Sequence, residues 1–113
     1  MAVKKQDIEI WKKNHNVVRF TVENREDLSD VKKIEWAMTR RKRPPRLIEK
    51  SSEESGEITT EGNQILVLIT PQDTADLTTL EKYWHEAKVI DFNDEEITIA
   101  EGLVTLHWSM FAE

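Results

Sequence analysis

The sequence predicts an all-β fold, an antiparallel sandwich of about seven to nine strands. Three observations carry that prediction. Apolar and polar residues alternate at period two in run after run, as strands with one buried face do. Clusters of turn residues separate those runs at regular spacing. The 113 residues, 38% hydrophobic and 34% charged, suit one domain over 1–113 with a single packed core.

In DIEIW, Ile8 and Ile10 face one way, with Asp7, Glu9 and Trp11 opposite. In VVRFTV, Val18, Phe20 and Val22 alternate with Arg19 and Thr21. In KIEWAMTR, Ile34, Trp36 and Met38 alternate with Glu35, Ala37 and Thr39. The breaks KKNHN (12–16) and ENREDLSD (23–30) carry turn chemistry. RRKRPP (40–45) cannot continue a central strand, because its prolines remove ladder donors. PRLIEKS reads as a short edge strand, and SSEESGEITTEGN (51–63) as a loop with a short strand at EITT. QILVLI is a core strand, VIDFNDEEITI a hairpin around Asn93-Asp94, and GLVTLHWSM a final strand. Its Val104, Leu106 and Trp108 share one face.

One segment supports two readings. In TPQDTADLTTLEKYWHEAKVI, Leu77, Leu80, Trp84 and Ala87 form a stripe at helical period. Thr70, Pro71 and Asp73 make an N-cap, a first position and a capping box. An α+β fold with a helix over 71–88 therefore stands as the alternative. The strand reading confines the helix to a short turn near 71–80 and puts Tyr83, His85, Ala87 and Val89 on the core face.

The bulk numbers exclude several classes. There is no cysteine, hence no disulfide framework, thiol nucleophile or Cys-based zinc site. A net charge of -6 argues against a general nucleic-acid binder. MAVKKQDIEIW has two lysines but no apolar stretch after them, so it is not read as a signal peptide. The longest apolar run, Ile65 to Ile69, is far too short to span a bilayer. No membrane association is expected.

Motifs for catalysis are incomplete. HEAK (85–88) begins like the zincin H-E-x-x-H, but position 89 is Val. His85 therefore reads as a hydrogen-bonded core residue. DFNDEE (91–96) alternates oxygen ligands as calcium loops do, but Glu96 stands where the loop needs Gly, and Gly102 where it needs Glu. No G-x-S-x-G, P-loop or dinucleotide fingerprint occurs. No catalytic residue, metal or cofactor is predicted.

The ordered pieces Phe20-Thr21-Val22, Leu28-Ser29, Trp36, Ile65 to Ile69, Thr70 with Asp73-Thr74-Ala75-Asp76-Leu77, Tyr83 and Gly102-Leu103-Val104 carry a resemblance. Over residues 6–108 the chain resembles small immunoglobulin-like structural proteins of tailed bacteriophages and prophages. The N-terminal domain of phage baseplate upper proteins belongs to that group. The resemblance implies an immunoglobulin-like sandwich and a structural or assembly role of tail or baseplate type, without enzymatic activity. It implies a location in the virion, or in the bacterial cytoplasm before assembly. Two departures stand out: RRKRPPR fills a hairpin that is usually short, and TTLEK replaces a Pro/Gly turn before Tyr83.

Candidate contacts follow. RRKRPPR places Arg40, Arg41, Lys42, Arg43 and Arg46 in a net acidic chain, as a cluster for an acidic partner or as a charged tip that discourages edge pairing. No aromatic residue interleaves it, so nucleic-acid stacking is not expected. Strand parity points Trp11 and Trp84 outward, where tryptophan often carries binding energy; the alternative is that one of them sits under a loop or at a strand end where parity slips. Trp36, mid-strand on an apolar face, reads as core. The expected partners are other copies of the chain, as a homo-oligomer, or other virion proteins. The alternative function is a free-standing carbohydrate- or surface-binding module, with exposed aromatics stacking on sugars.

Overall fold

Each alternating run becomes a strand in the computed structural model, which describes residues 4–23 and 27–108. The middle of the expected turn at 23–30, and Ser109 and Met110 of the last run, lie outside the described residues. The strands are β1 (Lys4–Lys5), β2 (Ile8–Trp11), β3 (Asn16–Thr21), β4 (Val31–Thr39), β5 (Arg46–Ser51), β6 (Ile58–Glu61), β7 (Gln64–Ile69), β8 (Tyr83–Asp91) and β9 (Glu96–His107). One helix, α1 (Pro71–Thr74), joins β7 to β8. The larger sheet has the order β1-β9-β8-β4-β5, with β2 also on β9, and the smaller has the order β3-β7-β6. The pairing is antiparallel except that β1 and β2 lie parallel to β9, which makes the larger sheet mixed.

The two inner faces meet at period two. Ile8 and Ile10, Val18 and Phe20, Ile34, Trp36 and Met38, and Ile65, Val67 and Ile69 are all buried. In β8 the buried set is Tyr83, His85, Ala87 and Val89. That alternation overturns the long-helix alternative. A helix over 71–88 would bury Leu80 beside Leu77, yet Leu80 is 94% exposed while Leu77 is buried. Trp108 departs from expectation too. It does not share the buried face of Val104 and Leu106, because β9 ends at His107 and strand parity ends with it. Trp108 is 56% exposed.

Two features of the sandwich are ones that immunoglobulin domains also use. The first is a tyrosine corner at the start of β8. The Tyr83 hydroxyl donates to the Thr78 carbonyl at 2.7 Å and accepts from the Thr78 N–H at 3.0 Å. This fastens the connection after α1 to the core. Tyr83→Phe removes both bonds and costs about 2 kcal/mol, measured by chemical denaturation.

The second is a tryptophan, Trp36, buried on the central strand β4. Antibody domains pack that tryptophan against a disulfide, whose second cysteine follows the corner tyrosine by two residues. Here that place holds His85. Its ring stacks on Phe20 of β3 with centroids 5.5 Å apart, so an aromatic contact joins the sheets in a chain without cysteine. The Trp36 indole N–H donates to His85 Nδ1 at 3.2 Å. Indole only donates, so Nδ1 is the acceptor and the proton of a neutral imidazole sits on Nε2. Nε2 in turn donates to the Gln6 carbonyl at 2.6 Å.

The Gln6 carbonyl reaches the ring because β1 and β2 break at Gln6-Asp7. There the Asp7 carboxylate accepts the Leu103 N–H at 2.9 Å. Opposite His85 in the ladder is Gly102, whose missing side chain leaves room for Gln6. Among the described residues, no buried side-chain polar atom lacks a partner.

The α1 corner is short and strongly tied. Thr70 caps it, and the Asp73 carboxylate accepts from the Thr70 N–H at 2.7 Å and its hydroxyl at 3.0 Å. Lys50 of β5 is buried on the inner face, and its Nζ lies 2.7 Å from Asp73. Burial pushes the Asp73 carboxyl up, but Lys50 and the two Thr70 bonds outweigh it and hold the group below the usual carboxylate range. The corner therefore contributes stability above the ordinary carboxyl value and loses it as pH falls through the lowered one. Lys50→Met strands a partly buried carboxylate. It costs about 2–3 kcal/mol by urea denaturation, less than a fully enclosed pair because Asp73 keeps some solvent.

Candidate functional site

Strand directions decide which loops share an end of the sandwich. β4 runs toward Thr39, which pairs with Trp84 at the start of β8. β9 runs antiparallel to β8 and ends at His107, and β2 runs parallel to it and ends at Trp11. Asn16 at the start of β3 pairs with Ile69 at the end of β7. The 12–15 turn, the 40–45 hairpin, the 70–82 connection and the end of β9 therefore lie together. The contact candidates Trp11, Trp84, Arg40, Arg41, Lys42, Arg43 and Arg46 all belong to this end.

At the hairpin the basic cluster is partly neutralised. Arg40 pairs with Glu81, and Arg46 Nη1 lies 3.1 Å from Glu49. Lys42 places its ammonium 4.6 Å from the centroid of the Trp84 ring, a contact worth about 0.5–1 kcal/mol when exposed. Trp84 does point outward, as its parity predicts, but it is half-buried beneath that lysine. Arg41 and Arg43 are exposed and have no partner among the described residues. They are the cations of this cluster available to another molecule.

A groove of about 600 Å³ runs beside the hairpin on the outer face of the larger sheet, lined by Glu35, Lys42, Arg43, Arg46, Trp84 and Glu86 among others. Charge of both signs lines it. Lys88 lies between Glu35, at 3.6 Å, and Glu96. Glu96 first and burial second set the Lys88 ammonium, which is held above its ordinary value because the carboxylate contacts outweigh burial. This arrangement can meet a charged, uneven protein surface.

A second aromatic cluster lies on the same face, farther toward the end. Trp11 is 42% exposed and stacks on His107, its partner in the parallel ladder, with centroids 5.0 Å apart. His107 Nε2 lies 3.1 Å from Glu9. The adjacent Trp108 carries the Lys12 ammonium 4.6 Å from its centroid. Leu103, opposite Trp84, and His107 are four residues apart on β9, about 13 Å by strand rise. Trp84 and Trp11 are thus two clusters on one face, not one patch.

Sequence reasoning missed Leu80 and Trp108 as exposed residues of this end. Leu80 belonged to a helical stripe that does not form, and Trp108 to a strand that has already ended. The TTLEK departure was the available signal, since it puts an apolar residue where a turn is expected. His85 is in the core as expected, hydrogen-bonded to Trp36 and Gln6. Among the described residues no group of three or more His, Asp or Glu side chains is placed to hold a metal, and no helix is long and apolar enough to cross a membrane.

No protein-family model matches the chain, and no curated protein matches it in sequence.

Proposed function

We propose that the protein is a structural or assembly component of a tailed bacteriophage or prophage particle, of tail or baseplate type, acting through protein–protein contacts and not catalysis. The observation that carries this reading is the gathering of exposed tryptophan, an exposed leucine and unpaired arginine at one end of a small immunoglobulin-like sandwich. Interfaces are enriched in tryptophan and arginine, and such residues dominate binding when a partner desolvates them. The ordered motif set over residues 6–108, with its resemblance to phage structural proteins, supplies the biological setting.

A carbohydrate-binding module draws less support. Stacking on a sugar needs an open aromatic face, and Trp84 and Trp108 each carry a lysine ammonium near the ring. Mass spectrometry of phage particles purified from the source strain tests the reading. Its expected result is the chain present at a fixed copy number relative to tail proteins. A chain missing from particles, together with saccharide-dependent quenching of its tryptophan fluorescence, overturns it in favour of the binding module.

A further inference from the structure

The two ends of the sandwich carry opposite charge. The end described above presents Lys12, Arg40, Arg41, Lys42 and Arg43. Of the acids at that end, Asp73 and Glu81 are engaged by Lys50 and Arg40, while Asp76 is exposed and offsets one of these cations. At the other end lie the start of β4, the β6–β7 turn and the β8–β9 hairpin. The described loop and strand-end residues there include Glu23, Asp27, Glu61, Asp94 and Glu95. Lys32 lies there too, paired with Asp94. The carboxylates of Glu23, Glu61 and Glu95 are exposed and have no side-chain partner among the described residues.

Each end also offers apolar surface. Leu80 and Trp108 project at the basic end, and Phe92, 67% exposed, projects from the β8–β9 hairpin at the acidic end. The molecule measures 43 × 25 × 21 Å. The twelve residues of β9 span about 40 Å at a strand's rise, so the long axis lies along the strands and separates the charged ends.

From this polarity we infer that the partner of the basic end is a second copy of the chain, docked by its acidic end, so that copies stack head to tail. Such a contact is heterologous: it uses two different surfaces of one chain, and it propagates until a ring closes or a filament grows. Arg41 and Arg43 meet Glu23, Glu61 and Glu95, while Phe92 meets Leu80 and Trp108. An end of this cross-section offers roughly 500 Å², so the contact buries at most about 1,000 Å² in total, the lower edge for specific interfaces. The association is therefore weak in isolation and strong only where copies are already held together, as in a particle. The inference deepens the assembly reading and rests on it for its setting.

Sedimentation velocity on the full chain at low and high salt tests it. At about 50 mM salt the sedimentation coefficient rises with concentration, and at about 500 mM the apparent association constant falls at least tenfold, because exposed ion pairs are screened. Arg41→Glu/Arg43→Glu, which sets like charge against Glu23, Glu61 and Glu95 at the contact, stays monomeric. Glu23→Lys/Glu95→Lys, which sets like charge against Arg41 and Arg43 at the contact, also stays monomeric. These side chains have no partner among the described residues, so circular dichroism of both variants matches the parent. Mixing the two variants restores association as alternating copies.

A parent chain that is monomeric at low salt, association that survives in either variant, or a mixture that does not associate overturns the head-to-tail contact. The assembly reading fails separately. A chain that stacks in solution but is missing from particles overturns that reading alone, and a monomeric chain recovered in particles overturns only the stacking.

Discussion

Gly102→Ala destabilises the sandwich by about 3 kcal/mol, the upper part of the range for overpacking, because the clash is with backbone. A Cβ built at Gly102 lies 2.3 Å from the Gln6 carbonyl oxygen and 2.7 Å from its carbon. Both are main-chain atoms of the break between β1 and β2, and a rotamer change cannot relieve the clash. Moving Gln6 away breaks two hydrogen bonds. One joins the Gln6 N–H to the Glu101 carbonyl at 2.8 Å, and the other joins His85 to the Gln6 carbonyl. Urea denaturation followed by tryptophan fluorescence gives the size of the loss. Hydrogen exchange locates it, with amides of β1 and β2 losing protection before those of β4 and β8. A loss below about 1 kcal/mol would show that Gln6 is not held where the structure places it.

His85→Ala costs about 3–4 kcal/mol, from the cavity together with two stranded partners. Trp36 loses its acceptor and Gln6 its donor. His85→Phe fills the volume but leaves both partners unpaired, so it recovers only part of the loss. His85→Gln can both accept and donate and recovers more than Phe if the hydrogen bonds dominate. The pH dependence separates a buried neutral imidazole from mere packing. Burial lowers the His85 pKa, and the Gln6 carbonyl, Asp7 and Glu101, which favour the charged ring, do not offset it.

The unfolded chain therefore takes up a proton below about pH 6.5 that the folded site refuses. The contribution of His85 to stability is complete above that pH and is lost as pH falls toward the lowered folded value. Its slope is at most about 1.4 kcal/mol per pH unit. Melts recorded from pH 7.5 to 5 show this slope in the parent and a flatter profile in His85→Phe. Equal slopes would mean that another group carries the dependence.

How much of this was legible in the sequence depends on the range of the interaction. Period-two burial is local. Ile8 and Ile10, Val18 and Phe20, Trp36, and the face of Tyr83, His85, Ala87 and Val89 could all be read from alternation alone. The α1 corner was legible because Thr70, Pro71 and Asp73 cap within one turn. Lys50 was not, since its reason to be buried is Asp73 on a distant segment. The role of Gly102 needed the register of β8 and β9 and the break between β1 and β2, although a lone glycine inside a strand pattern does signal close backbone approach. The outward faces of Trp11 and Trp84 followed from parity. Their meeting with the 40–46 hairpin at one end did not, because that depends on strand direction and sheet order. The shielding of Trp84 by Lys42 depends on how a hairpin folds over its neighbour, which no periodicity encodes.

In the proposed assembly, the basic end is a contact surface inside a particle. The chain has no cysteine, so Arg43→Cys introduces a single thiol at an exposed side chain without a partner among the described residues. Maleimide labelling of that chain, free in solution and in purified phage particles, measures the claim directly. The expected result is rapid labelling of the free chain and labelling at least about tenfold slower in particles, as for a side chain enclosed by an interface. Equal rates in the two states, or particles that form normally without the chain, would contradict it.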